Sequence, residues 1–238
     1  MFFDTTLLQG RLIKRYKRFL ADVMLDDGTV VTAHCANTGA MTGCAEPGWQ
    51  VWLSKSNNPK RKLAYSWELS KTDTGHFIGV NTHKANDLVA EALQQHVIAE
   101  LCEYSVIQRE VKAGSDNSRI DFKLSAPKQV DCFVEVKSVT LLQAQKGYFP
   151  DAVTLRGQKH LFTLEELAKQ GHRAVLLFCV QHSGIKSVEI AQHIDPDYAR
   201  VLHQARQAGV EILAYSTIIS PEKILINQSI PFIFKISS

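Results

Sequence analysis

No apolar run in the 238-residue sequence is long enough to cross a bilayer, and no internal repeat or low-complexity segment interrupts it. There is no P-loop and no G-x-G-x-x-G fingerprint, which leaves nucleotide-dependent small-molecule enzymes the least supported class. The five cysteines, at 35, 44, 102, 132 and 179, form no C-x-x-C pair and have no histidines at zinc-finger spacing. That argues against a disulfide scaffold and against structural zinc. The opening Met1-Phe2-Phe3-Asp4 has no basic flank and no cleavage pattern, so a reduced, cytoplasmic protein without a signal peptide is expected. Neither sign of charge dominates: 27 Lys and Arg against 24 Asp and Glu leave +3, which permits a polyanionic partner without demanding one.

What is present is a packable chain. Its hydrophobic content of 45% suits one large domain or two ordinary ones. The first third reads as β. Residues 7–13, 19–25, 29–33, 49–53, 63–69 and 77–80 are short strand candidates, separated by turn signals such as Asp26-Asp27-Gly28 and Asn57-Asn58-Pro59. Such a run suggests a small barrel or sandwich. The pattern changes at residues 81–86, where Asn86 is a candidate cap for a helix through Leu88, Val89, Ala92, Leu93, Val97 and Leu101. Strands are then expected near 106–111, 120–124, 132–139, 173–180 and 210–215. Helices are expected over 154–170, stopped by Gly171, and from Asp195-Pro196 to Gly209. The expected division is a β unit over 1–82 and a mixed α/β unit over 83–238.

The chemistry concentrates in Asp121 and Glu135-Val136-Lys137. Glu135 and Lys137 lie two apart in a strand, so they share one face, while Val134 and Val136 enter the core from the other. If the strand holding Asp121 pairs with this one, a second carboxylate arrives beside Glu135. Two carboxylates and the Val136 carbonyl suit a hard divalent cation, Mg2+ or Mn2+. Such an ion offsets charge on a scissile phosphate and acidifies bound water. Lys137 would orient that water or stabilise the transition state. Glu91, on the preceding helix, is a further candidate. On spacing alone, an ordinary surface acid–base pair fits as well.

These residues resemble the PD-(D/E)xK nuclease superfamily, with one departure at Ile120, where that pattern often has proline. Longer strings sharpen the likeness. Residues 14–19 (Lys14-Arg15-Tyr16-Lys17-Arg18-Phe19), 34–39, 79–82, 119–122, 135–140 and 149–152, in that order, resemble the bacterial sugar fermentation stimulation protein family, SfsA, over nearly the whole chain. The resemblance implies an α+β, mixed architecture: an N-terminal OB-like barrel followed by an α/β nuclease-like domain. It also implies DNA binding and a link to sugar utilisation, maltose genes in particular.

The basic string is the strongest nucleic-acid candidate on physical grounds. Lys14, Arg15, Lys17 and Arg18 attract phosphate, and Tyr16 offers a stacking face. A solvated turn between strands explains it equally well. Lys60-Arg61-Lys62 extends the same face if the fold brings them together. His34 and Asn37 read as a polar loop wall or a nucleic-acid contact. His34 and Cys35 point to opposite sides of a strand and do not form a thiol–base pair. Arg156, Lys159 and His160 share a helix face that either meets phosphate or lies in solvent. Three readings stay open: a DNA-binding metal-dependent phosphodiesterase, a non-catalytic DNA-binding regulator, and a single-stranded RNA binder.

Overall fold

The computed structural model describes residues 1–115 and 118–234. The N-terminal strands are β1 (Leu8–Tyr16), β2 (Leu20–Leu25), β3 (Val30–His34), β4 (Gln50–Lys55), β5 (Tyr65–Lys71) and β6 (Phe77–Gly79). They run in the order β3-β2-β1-β4-β5-β6, and β3 also pairs with β5. That pairing closes five strands into the OB-like barrel, with β6 added beyond β5. Alternation fills the interior: Leu12, Ala21, Val23, Ala33, Val51, Leu53 and Trp67 are buried together.

Helix α1 (Lys84–Gln94) opens the second unit, followed by a 3-10 turn at Ala99–Leu101. Then come β7 (Val106–Ala113), β8 (Ser118–Ser125), β9 (Cys132–Val139), β10 (Leu141–Gln143), β11 (Lys146–Phe149), α2 (Leu155–Lys169), β12 (Arg173–Val180), β13 (Ser187–Ile190), α3 (Pro196–Gln207), β14 (Glu211–Ile219), β15 (Ile224–Ser229) and β16 (Phe232–Ile233). The main sheet has the order β15-β14-β12-β9-β8-β7. Its centre, β9 with β12 and β12 with β14, is parallel, and the flanking pairs are antiparallel. A smaller sheet, β10-β11-β13-β16, lies beside it.

Helices cover both faces, as a parallel centre requires. Cys132, Val134 and Val136 of β9 pack with Leu88, Val89 and Leu93 of α1. Phe133 and Val139 pack with Leu161 and Leu164 of α2 and Tyr198 and Val201 of α3. Thr154 caps α2 through Gly157 N–H, and Asp195 caps α3 through Tyr198 N–H, with Pro196 in the first turn. Gly171 and Gly209 follow the two helices at φ 89° and 104°, in the left-handed region where glycine carries no steric cost. No described helix is long and apolar enough to cross a membrane.

Two sequence expectations for α1 are corrected. The helix ends at Gln94, short of the expected Val97 and Leu101, and Leu101 falls in the separate 3-10 turn. Asn86 does not cap α1. The helix begins at Lys84 after His83, which is itself helical and makes no side-chain cap, so Asn86 falls inside the first turn. There its amide is free to turn toward the sheet.

Candidate nucleic-acid and metal site

The β8–β9 ladder pairs Leu124 with Cys132 and Phe122 with Val134, and goes no further. Beyond that point the Asp121 side chain occupies the gap. Val136 N–H donates to Asp121 Oδ2 at 2.8 Å, and Asn86 Nδ2 donates to Oδ1 at 2.7 Å. A strand residue's N–H and C=O point to the same edge, so the Val136 carbonyl faces this gap too.

Glu135 and Lys137 do share a face, but that face is covered by α2. Glu135 is 2% exposed. Lys137 Nζ lies 2.6 Å from Glu135 Oε1 and 3.2 Å from His160 Nδ1, and His160 Nδ1 also contacts Glu135 Oε1. Arg156 Nε reaches the far ring nitrogen of His160 at 3.4 Å. Burial works to raise the Glu135 pKa. The Lys137 ammonium and the His160 ring outweigh it, and the net displacement is downward. Asp121 moves the other way. Burial and then the Glu135 charge push it up to about 6, against the smaller opposing pull of its hydrogen bonds and Lys137. Two neighbouring carboxylates with opposite displacements are a mark of acid–base or metal sites.

The site opens into a cleft of ≈ 370 Å³ between the two units. Its floor includes Val136, Lys137 and Ser138, and its walls include Asn86, Asp151 and residues 37–39 of the barrel. Residues 37–39 are held from below. Arg15 Nη2 donates to the carbonyls of Arg18, Asn37 and Gly39 at 2.8–3.0 Å, and Asn37 Oδ1 accepts from Gly39 N–H at 2.8 Å. Gly39 sits hard against the α/β unit: a Cβ there would lie 2.6 Å from Asp151 Oδ2.

The other expected residues divide. Asp121, Glu135, Val136 and Lys137 converge. Glu91 does not join them, because its carboxylate is taken by the amino group of Met1. From the same helix it is Asn86 that reaches Asp121. Asn37 lies in the cleft wall with its Oδ1 taken by Gly39 N–H, and Arg15 holds that wall through the carbonyls of Asn37 and Gly39. Lys17 and Arg18 are exposed at the β1–β2 turn, at φ 50° and 63°. Lys14 lies 5.2 Å over the Tyr16 ring and 3.7 Å from Asp22, and Tyr16 Oη donates to Asp22. His34 is half-buried, and burial with Arg61 and His83 lowers its pKa. Arg156 and Lys159 are exposed on α2. Cys35 is buried, its thiol 3.3 Å from the Asn37 carbonyl, so it is no nucleophile. Two polar residues that spacing does not single out also belong here: Ser138, and the fully buried Gln181 whose amide donates to its hydroxyl at 2.8 Å.

Residues 13–80 match the family model described as the SfsA N-terminal OB domain, and residues 83–223 match that of the sugar fermentation stimulation protein RE domain. The chain belongs to the sugar fermentation stimulation protein family. It is 61% identical to the sugar fermentation stimulation protein homolog of Pseudoalteromonas atlantica, covering 98% of this chain and 100% of that one. It is 58% identical to the homolog of Shewanella loihica, covering 97% and 99%. Among solved structures, Pyrococcus furiosus SfsA in complex with Ca2+ superposes with a TM-score of 0.88 at 24% identity, over 98% of this chain and 97% of that one, which establishes the shared fold.

Proposed function

We propose that the chain binds DNA across the cleft between its barrel and its α/β unit and hydrolyses a phosphodiester there with a divalent cation. The observation that carries this reading is the meeting of Asp121 with the Val136 backbone and of Glu135 with Lys137, directly behind the Val136 and Lys137 that line the cleft. Among the described residues no group of three or more His, Cys, Asp and Glu side chains is arranged around one metal position. Two carboxylates and a carbonyl nevertheless suit a hexacoordinate ion that keeps several waters. The fit is supported by Glu135 Oε2, which is buried and has no hydrogen-bond partner among the described residues. It is supported again by Asp121, whose pKa burial and the Glu135 charge raise against the smaller opposing pull of its hydrogen bonds and Lys137, a balance that a bound cation would reverse. The archaeal relative's Ca2+ complex favours a divalent ion in this family's fold. Mg2+ or Mn2+ is the working ion proposed here.

Asp121, Glu135 and the Val136 carbonyl would hold the ion. Bound there, it would offset phosphate charge and lower the pKa of a coordinated water. The residues themselves do the rest. Asn86 fixes the rotamer of Asp121. Lys137 holds its ammonium at the cleft floor, where it stabilises charge growing on the phosphoryl oxygens. His160 and Glu135 keep that ammonium in place. Lys17, Arg18, Arg156 and Lys159 are the exposed cations through which the DNA backbone is held.

The test is cleavage of labelled single- and double-stranded DNA by the whole protein in Mg2+, in Mn2+ and in EDTA. Cleavage with either ion, its loss in EDTA and its loss in Glu135→Ala are expected. Equal residual cleavage by Glu135→Ala removes the assignment. A second reading, a DNA-binding regulator of sugar utilisation without catalysis, is favoured by one observation: both Lys137 and His160 already hold Glu135 Oε1. DNA binding with no cleavage in either ion selects it. Competition with RNA of the same sequence separates both from an RNA binder.

A further inference from the structure

Ser138, Thr140 and Gln181 have no role in the proposed hydrolysis, yet they are polar where the chain around them is apolar. Alternation along β9 puts Val134, Val136 and Ser138 on one face, and Thr140, just past the strand, continues it. The two valines are buried with Leu88 and Val89 of α1. The cleft opens at the first turn of that helix, where Ala85 and Asn86 line it. From there on the same face carries hydroxyls, and both Ser138 and Thr140 line the cleft.

Each hydroxyl has a proton to place. The Gln181 side-chain amide donates to Ser138 Oγ at 2.8 Å. Gln181 is itself fixed: it is fully buried, its backbone N–H donates to the Val139 carbonyl at 2.9 Å, and its own carbonyl accepts from Gly79 N–H at 2.9 Å. A Cβ on Gly79 would lie 3.0 Å from Gln181 Oε1, so the barrel backs the amide. With an accepting position filled, Ser138 is left to donate. Thr140 is 8% exposed and makes no side-chain hydrogen bond among the described residues. Neither hydroxyl proton has an acceptor among them. Lys137, the cation lining the cleft, only donates as well. The acid on the opposite wall, Asp151, is turned to the barrel and accepts from Met41 N–H at 3.4 Å.

Donors of this kind select a group that accepts and carries negative charge. We infer that Ser138 and Thr140 bind the non-bridging oxygens of a phosphate in the cleft, and that Gln181 is a positioning residue that keeps the Ser138 proton aimed at them. The choice of phosphate over carboxylate rests on the nucleic-acid reading above. The phosphate is either a linkage inside a strand or the monoester at its end.

The experiment titrates the whole protein with dimethyl phosphate, for the linkage, and with methyl phosphate, for the end. It is run in EDTA and again in Mg2+, and binding is read from phosphorus NMR line broadening. Saturable binding of at least one ester is expected, with acetate failing to compete. Ser138→Ala and Thr140→Val should each weaken it about tenfold, the order for one hydrogen bond to a charged acceptor. Gln181→Met should weaken it in the parent and not in Ser138→Ala, because it acts only through that hydroxyl. A loss of equal size in both backgrounds removes the positioning role. If Gln181→Met does not fold, Ser138→Ala and Thr140→Val decide the matter, since each replaces a single oxygen. Binding of dimethyl phosphate identifies the linkage, and binding of methyl phosphate alone identifies the strand end. The inference is overturned by no saturable binding of either ester, by equal competition from acetate, or by binding undiminished in Ser138→Ala and Thr140→Val. Failure of the hydrolysis proposal shows separately, as ester binding without DNA cleavage in Mg2+.

Discussion

The Asp121 carboxylate accepts the Val136 N–H at 2.8 Å, so a side chain continues the strand pairing where the backbones of β8 and β9 part. A carboxylate at that seam is buried beside a second acid, and its proton equilibrium becomes a reporter of the site.

Asp121 is therefore expected to set a pH dependence of stability. Its pKa rises from 3.8 unfolded to about 6 folded. The native state binds that proton more tightly, so the contribution is fully present below pH 3.8 and is lost as pH rises through 6. Asp121→Asn keeps an acceptor for Val136 and removes the charge. It should stabilise the protein at pH 7.5 by up to about 3 kcal/mol, at about 1.36 kcal/mol per pKa unit, with the gain gone by pH 4. Urea denaturation at the two pH values measures this. Parallel profiles for variant and parent would falsify the assignment.

Lys137 and Glu135 should prove strongly coupled. Lys137→Met leaves a buried carboxylate facing His160 alone and is expected to cost about 3–5 kcal/mol. Adding Glu135→Gln should recover most of that loss, because the uncompensated charge goes with it. A double-mutant cycle by chemical denaturation reads the coupling, and strict additivity would contradict the geometry.

The cations of the β1–β2 turn should separate by role. Arg15→Ala removes a guanidinium bound to three carbonyls and should lower stability by about 2 kcal/mol at any salt concentration. Lys17→Ala and Arg18→Ala should leave the melting temperature unchanged. Each should instead reduce the slope of log affinity for DNA against log salt by about 1. Thermal melts and salt-dependent binding isotherms give the two readouts.

Gly39 should tolerate no side chain while Asp151 is present. Gly39→Ala forces a methyl into the Asp151 carboxylate and should destabilise by about 1–3 kcal/mol while lowering DNA affinity. Asp151→Ala in the same chain opens the space and should restore stability. Failure of that rescue in thermal melts would place the strain elsewhere.

Much of this fold is legible in the sequence where local signals are dense. β9 and β12 fall on residues 132–139 and 173–180 as read, because short apolar runs such as Ala174-Val175-Leu176-Leu177-Phe178, set off by Gly171, suit a strand buried on both faces. Asp195-Pro196 and Gly209 mark α3 through capping chemistry. β10, β11, β13 and β16 are too short to show alternation. Pairing Asp121 with the Glu135 strand follows from their strand character. Choosing Asn86 over Glu91 does not, since it depends on where α1 begins and on which turn faces the sheet gap. His160 reads as one of a helical stripe, and its burial against Glu135 is set by how α2 lies on the sheet. The cleft wall at residues 37–39 is a contact across more than a hundred residues of chain, to Asp151, and no local pattern encodes it.

β9 is hydrogen-bonded on both sides, to β8 and to β12. If it slid by a single residue, Val134 and Val136 would exchange places with Glu135 and Lys137. Both charges would then be driven into the oily layer beneath α1, and the seam would lose its acid and its amine in one movement. Misalignment is thus punished by the same two side chains that chemistry would require, and the strand's position is fixed by the cost of being wrong.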